Sequence, residues 1–251
     1  MIVCTLASGS DGNAVLIGYK NTVLLVDAGI SAKRIKQAVW GLGVPEPSCV
    51  LLTHEHGDHT RGLAVLRRDV YAPPLTARAV RNTAPFLHIT EVTGSFGVGD
   101  IGVEPFATPH DTPDSMGYLF DLGGFAVCVC TDLGHVTQTV LDHARRADYL
   151  LIESNHDERM VRTGPYPHFL KTRILGPNGH LCNEVSAEVT LAAVKNGTRH
   201  VTLCHLSKEN NRPELAESAA AKRLAAEGIA PGKDIILNVA PPGAVGHVFR
   251  Q

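Results

Sequence analysis

Thr53-His54-Glu55-His56-Gly57-Asp58-His59 places three imidazoles and two carboxylates within seven residues. Imidazole nitrogen and carboxylate oxygen are the donors that zinc and similar divalent ions accept. The cluster follows Cys49-Val50-Leu51-Leu52, a short apolar run that reads as a buried strand. It precedes Thr60 to Arg68, which reads as the first turns of a helix. Side chains two apart in an extended segment point to one side, so His54 and His56 can reach one ion together. Asp58 and His59 lie where the chain turns into the helix, aimed at a neighbouring point. The competing account is a polar turn with surface histidines, and it leaves this density of ligand-type residues unexplained.

Three further residues sit just after predicted strands. His110 lies in Ala107-Thr108-Pro109-His110-Asp111, after a strand over 101–106. Asp132 lies in Cys130-Thr131-Asp132-Leu133-Gly134, after 125–130. His205 lies in Leu203-Cys204-His205-Leu206-Ser207, after 200–204. A lone histidine of this kind is more often structural. Strand ends on one edge of a sandwich converge, however, and three matching positions are better explained as ligands. Two-metal sites, with ions roughly 3.5–4 Å apart, need a set of this size.

The elements that must position these groups alternate along the chain. Strands are expected over 1–6, 14–18, 22–27, 49–52, 89–93, 101–106, 117–121, 125–130, 148–152, 200–204, 235–239 and 245–249. Helices are expected from an N-cap at Ser31 through Trp40, and over 60–68, 75–84, 136–147, 156–162, 167–175, 184–196 and 213–227. The two halves look alike. A four-layer α/β arrangement, two sheets face to face with helices outside, would bury these patterns. No repeat or linker divides the chain, so one domain over 1–251 is expected.

Composition sets the outer bounds. The chain has 251 residues, 44% hydrophobic and 19% charged, as in soluble globular proteins. No apolar run is long enough to span a bilayer. Met1-Ile2-Val3-Cys4-Thr5-Leu6 lacks the pattern of a signal peptide, so a cytoplasmic protein with no membrane partner is expected. The six cysteines include no CxxC pair and read as buried free thiols. A net charge of −2 argues against wholesale electrostatic binding to nucleic acid, but not against a local basic groove.

Three loops could touch a substrate. Ser8-Gly9-Ser10-Asp11-Gly12-Asn13 could bring backbone N–H groups to a phosphate, or it could be a hairpin turn. Ser207-Lys208-Glu209-Asn210-Asn211-Arg212 offers hydroxyl, amide and cationic groups for an anion, or it is a polar lead into the Pro213 helix. Gly179-His180-Leu181-Cys182-Asn183-Glu184 puts His180 before a helix that Cys182 or Asn183 could cap.

In order and context, the His-x-His-x-Asp-His motif with His110, Asp132 and His205 resembles the metallo-β-lactamase superfamily over most of the chain. The resemblance implies the αββα sandwich, with two mixed sheets flanked by helices. It implies His54, His56 and His110 on one divalent ion, Asp58, His59 and His205 on a second, and Asp132 bridging them. Zinc is the expected metal, with manganese or iron also suited. Asp27, in Leu24-Leu25-Val26-Asp27-Ala28-Gly29, matches a family motif in which the aspartate orients ligand histidines. An aspartate rather than a cysteine at the bridge disfavours the lactamase branch. His180 resembles a histidine that, in the tRNA-processing branch, lies near the scissile phosphate.

Longer motifs narrow the resemblance. Leu6 to Asn13, Glu153-Ser154-Asn155-His156-Asp157, Gly164-Pro165-Tyr166-Pro167, Gly179 to Glu184, and Cys204 to Asn211 are similar to the YycJ/WalJ-like group, bacterial proteins regarded as DNA exonucleases. Cys204 stands where that group often has alanine, Cys182 where serine is expected, and Asp11 where small residues are common. The implied activity is two-metal phosphodiester hydrolysis, as an exonuclease acting 5′ to 3′ on duplex DNA. Asp58, Asp132 and His180 are then the expected catalytic residues. Ser8, Ser10, Asn13, Ser207, Lys208, Asn211 and Arg212 are the expected substrate contacts. Fold alone does not decide the activity. Hydrolysis of a small ester, thioester or cyclic phosphodiester is the alternative, and a non-catalytic, metal-stabilised DNA-binding module is a third. A basic stripe past Arg159, Arg162, Lys171 and Arg173 would favour nucleic acid; a closed pocket would favour the small ligand. His156 is expected to cap or orient the helix that follows it.

Overall fold

The computed structural model describes residues 1–251. The chain opens with a meander of β1 (Ile2–Ala7), β2 (Ala14–Tyr19) and β3 (Thr22–Val26), then α1 (Ala32–Leu42). β4 (Cys49–Leu51) leads into α2 (Gly57–Thr60) and α3 (Leu63–Leu66), followed by β5 (Asp69–Ala72), α4 (Pro74–Thr83) and β6 (Ile89–Glu91). The second half repeats the plan. Its meander is β7 (Phe96–Val98), β8 (Ile101–Thr108), β9 (Ser115–Asp121) and β10 (Ala126–Cys130). Next come α5 (Gln138–Arg145), β11 (Tyr149–Glu153), α6 (Glu158–Thr163), α7 (His168–Ile174), α8 (Asn183–Lys195), β12 (His200–Cys204), α9 (Pro213–Ala225) and β13 (Ile236–Val239). β14 (Val248–Arg250) returns to pair with β1.

The chain makes two seven-stranded mixed sheets, in the orders β14-β1-β2-β3-β4-β5-β6 and β13-β12-β11-β10-β9-β8-β7, the first completed by β14 from the C-terminal end. Within each, the meander is antiparallel and the later strands run parallel, β3 to β6 and β10 to β13. Alternate side chains then sort into three cores. Val3, Ile17, Leu24 and Leu51 meet Tyr118, Phe120, Val127 and Leu151 between the sheets. Leu16, Leu25 and Val50 pack outward on Ile35, Val39 and Val80. Leu150, Ile152 and Leu203 pack outward on Val140, Val189 and Leu224. Both faces of the central strands are covered, so those strands read as continuous apolar runs. Each fully buried Leu, Ile or Val contributes about 1.5–3 kcal/mol. The αββα sandwich expected from the sequence is the fold observed.

Three expectations need correction. The helix over 60–68 is two short helices, Gly57–Thr60 and Leu63–Leu66. The Gly62 N–H turns away to donate to Ala28 O at 2.7 Å, and a Cβ there would meet Ile30 O at 2.5 Å. That close approach of two backbones breaks the helix. Strands β5 and β7 were not expected; they are short and their burial is partial. Cys182 takes the N-cap position of α8 without a side-chain hydrogen bond. Ser31 does cap α1, accepting from Arg34 N–H.

Candidate metal centre

The site lies where strands of both sheets end. Asp27 follows β3, Thr53 to His59 follow β4, His110 follows β8, Asp132 follows β10, Glu153 ends β11, and His205 follows β12. Asp27, Asp132 and His205 take left-handed backbones, with φ of 60°, 59° and 54°. Few residues other than glycine do so; Asp, Asn and His are the enriched exceptions. The bend turns the chain sharply at each strand end.

Hydrogen bonds tie up one nitrogen of most rings. Asp27 Oδ2 accepts from His59 Nδ1 at 2.8 Å and from the Thr53 hydroxyl at 2.9 Å, while Oδ1 accepts from Thr53 N–H at 2.9 Å. The Thr53 oxygen lies 3.0 Å from His54 Nδ1. One buried carboxylate thus orients two imidazoles. His110 Nδ1 donates to Gly179 O at 3.2 Å. His205 Nδ1 lies 3.0 Å from Glu153 Oε1 and 3.1 Å from Asp132 Oδ1. A donor at Nδ1 fixes the tautomer and leaves Nε2 as a lone-pair donor.

The free atoms converge. His54, His56 and His110 form one group whose ligand atoms lie within 4.8 Å of one another; Asp58, His59 and His205 form another, and His54, His59 and Asp132 a third. Asp132 stands between the first two, with Oδ2 3.4 Å from His59 Nε2 and Oδ1 3.7 Å from His110 Nε2. His54 Nε2 and Asp132 Oδ2 are buried and have no hydrogen-bond partner. A buried polar atom left unpaired costs about 1–3 kcal/mol. Two such atoms amid nitrogen and oxygen donors fit divalent cations.

The electrostatics show what a cation would relieve. Burial holds the His54 ring well below its usual pKa, and the neighbouring His59 adds to this. Burial also lowers His110. Burial alone would raise Asp132, but the charges of His205 and His59 outweigh it and hold the carboxyl well below the usual range. His205 is pushed up to about 10: burial opposes the charge, and Asp132 and Glu153 overcome it.

The seven candidate ligands read from the sequence, His54, His56, Asp58, His59, His110, Asp132 and His205, are all brought together. The expected substrate contacts divide. Ser10 and Ser207 line a cavity of about 300 Å³ over the cluster, beside His56, Asp58, Asp132 and His180. Ser8 does not; its hydroxyl accepts the His205 N–H at 2.7 Å. Asn13 accepts from Gly9 N–H and sets its amide 3.1 Å from His59 Nε2. Asn211 is buried, its amide donating to Ser154 O and Asn155 O and its oxygen accepting from Asn183 and Arg212 N–H. Ser8 and Asn211 are spent on holding loops together, whereas Asn13 sets its amide against two candidate ligands, His59 and, at 3.5 Å, Asp58. Lys208 is exposed and pairs with Asp11 at 3.7 Å, and Arg212 is exposed away from the cavity lining. His156 is buried, held near 4 by that burial, and belongs to none of the clusters.

Two residues, Glu153 and Asp111, are site residues that the motifs do not single out, and a third, Arg173, is expected only as part of a basic stripe. Glu153 is fully buried; its Oε1 accepts from His180 at 2.8 Å and from His205, and its Oε2 from the N–H groups of Leu133 and Leu181. The charges and hydrogen bonds of those histidines bring its carboxyl down to about 2 against the opposing push of burial. An acid ending the apolar run Tyr149–Ile152 was the available signal, since the same strand-end rule had found Asp132. Asp111 Oδ1 lies 3.2 Å from His110 Nε2, and its Oδ2 accepts from Arg173 Nε at 2.6 Å. Arg173, on α7, supplies the guanidinium at the cavity.

The comparisons agree with this geometry. A family model described as a beta-lactamase superfamily domain matches residues 22–206. Exodeoxyribonuclease YycJ of Bacillus anthracis is 38% identical over 242 residues, covering 91% of this chain and 90% of that protein. Exodeoxyribonuclease WalJ of Streptococcus pneumoniae shows the same identity and coverage. Among solved structures, the metallo-beta-lactamase fold protein YhfI of Bacillus subtilis superposes with a TM-score of 0.72 at 15% identity, over 99% of this chain and 98% of that one. The sandwich, the strand-end cluster and these matches together show that the chain belongs to the metallo-β-lactamase superfamily and, within it, to the YycJ/WalJ-like group.

Proposed function

We propose that the protein is a two-metal phosphodiester hydrolase that degrades DNA as an exonuclease, from a 5′ end of the duplex. The observation that carries this is the convergence of five imidazoles and two carboxylates at one strand-end cluster beneath a cavity edged by Arg173. The names of the 38% identical relatives point to the same substrate. In this reading His54, His56 and His110 would hold one ion and Asp58, His59 and His205 the other, with Asp132 placed between the two sets. Zinc is the proposed ion. Divalent ions bound there would supply Lewis acidity and lower the pKa of a bound water.

The chain's own groups do the rest. Asp27, Thr53, Gly179 and Glu153 hold the ligand rings in one tautomer. Asp58 lines the cavity and is placed to accept the proton of the attacking water. His180, fixed through Nδ1 by Glu153, presents Nε2 to the cavity and donates a proton to the leaving oxygen. Arg173, still offering guanidinium N–H groups beyond Asp111, grips the phosphate. Both sheets contribute to one centre, so residues 1–251 are proposed to act as one domain. The six buried free thiols suit a reducing compartment such as the cytoplasm.

The test is a 5′-labelled duplex incubated with metal-loaded protein. Release of the label as a mononucleotide at the first cleavage is expected. Intact duplex at stoichiometric protein, with bound metal confirmed, rejects the reading.

A further inference from the structure

The helix α7 contributes no buried residue to any core, yet it walls the cavity. Leu170, Arg173 and Ile174, with Tyr166 just before the helix, face the cluster. Phe169, one residue from Leu170, is 69% exposed. It lies four positions from Arg173, so on a helix the two side chains are neighbours. Residues 158–174 hold four basic residues against one acid. Arg162 pairs with Glu158 and Arg173 with Asp111, which leaves Arg159 and Lys171 as the cations without a carboxylate partner and Arg173 with guanidinium N–H groups still to offer. Lys171 Nζ donates to Arg162 O at 2.9 Å and ties α7 to α6.

We propose that Phe169 is a stacking platform for the terminal nucleobase of the DNA strand whose phosphate enters the cavity. Arg173 holds that phosphate, and Phe169 beside it meets the base. The occupant is a nucleotide because the aromatic face is flanked by cations that a phosphate backbone matches. Stacking of this kind is tolerant of sequence, since every base has a π-face. Phe169 would therefore govern which strand ends enter without selecting a base. This inference rests on the nucleic-acid reading above.

The test uses a short phosphorothioate-linked strand, which resists hydrolysis, with either a base or an abasic sugar at its terminal nucleotide. Its binding to metal-loaded wild-type, Phe169→Ala and Phe169→Trp proteins is measured by fluorescence anisotropy. Phe169→Ala should weaken binding of the base-bearing strand about tenfold. Phe169→Trp should restore it, and the abasic strand should bind all three proteins alike. No weakening in Phe169→Ala, or equal weakening of both strands, overturns the platform. The nuclease reading fails separately, if wild-type protein shows this base-dependent binding yet leaves ordinary DNA intact.

Discussion

Glu153 Oε1 lies 2.8 Å from His180 Nδ1, and the same oxygen lies 3.0 Å from His205 Nδ1. One buried carboxylate therefore governs a ring that faces the substrate cavity and a ring that faces the candidate metals. Replacing His180 with alanine removes only the first function. Turnover on labelled DNA should fall about 10²–10⁴-fold, while metal content, read by elemental analysis, stays at the wild-type value. Loss of metal in this variant would reject the proton-donor role.

Asp27 tests the orientation argument. With alanine in its place, His59 and Thr53 lose a shared acceptor. Metal affinity should drop about 10–100-fold, measured by competition with a chromophoric chelator. Asp27→Asn keeps the size and the left-handed backbone tolerance and should lose less. Equal affinity in Asp27→Ala and wild type would remove Asp27 from the site.

Chelation should destabilise the fold. A ligand present at a hundred times its Kd stabilises by about 2.7 kcal/mol. For a chain of this size that corresponds to a Tm lowered by roughly 5–10 °C on chelation. Calorimetry with and without EDTA, followed by zinc, manganese or iron, reads the shift and identifies the ion that restores stability. An unchanged Tm would argue against metals in the cluster.

Gly29 tests how tightly the loops meet. A Cβ there would come within 1.5 Å of Asp58 O and 2.6 Å of Asn13 N. Gly29 N–H donates to Asn13 O, and Asn13 N–H to Asp58 O, both at 2.8 Å. Gly29→Ala must push backbone away from backbone, at a cost of about 3 kcal/mol or more. Gly41→Ala, in an open stretch of α1 with nothing within 4 Å, should instead gain up to about 1 kcal/mol. Urea titration of the two variants measures both.

Periodicity and strand-end chemistry made much of this legible in advance. The buried strands β10, β11 and β12 are short and mostly apolar, and Asp132 and His205 stand out just beyond their ends. The break at Arg61–Gly62 was hidden because its cause is distant in sequence: Ala28 O recruits the Gly62 N–H. Ser8, Asn13 and Asn211 looked available because polar loops read alike whether their groups face solvent or each other. Only the fold reveals that Ser8 holds the His205 backbone. Arg173 was visible as a basic residue, but its place depends on how α7 lies against the loop carrying Asp111.

The left-handed backbones at Asp27, Asp132 and His205 narrow the evolutionary options of the centre. A residue exchanged there must satisfy the chemistry and also follow the bend. Asparagine and glycine follow it but give up the charge or the ring; valine, isoleucine and threonine resist it. A change of reaction at these positions would therefore be slow to arise by single substitutions. Diversification has freer ground in the surface helices around the cavity, where side chains can be traded without redirecting the chain.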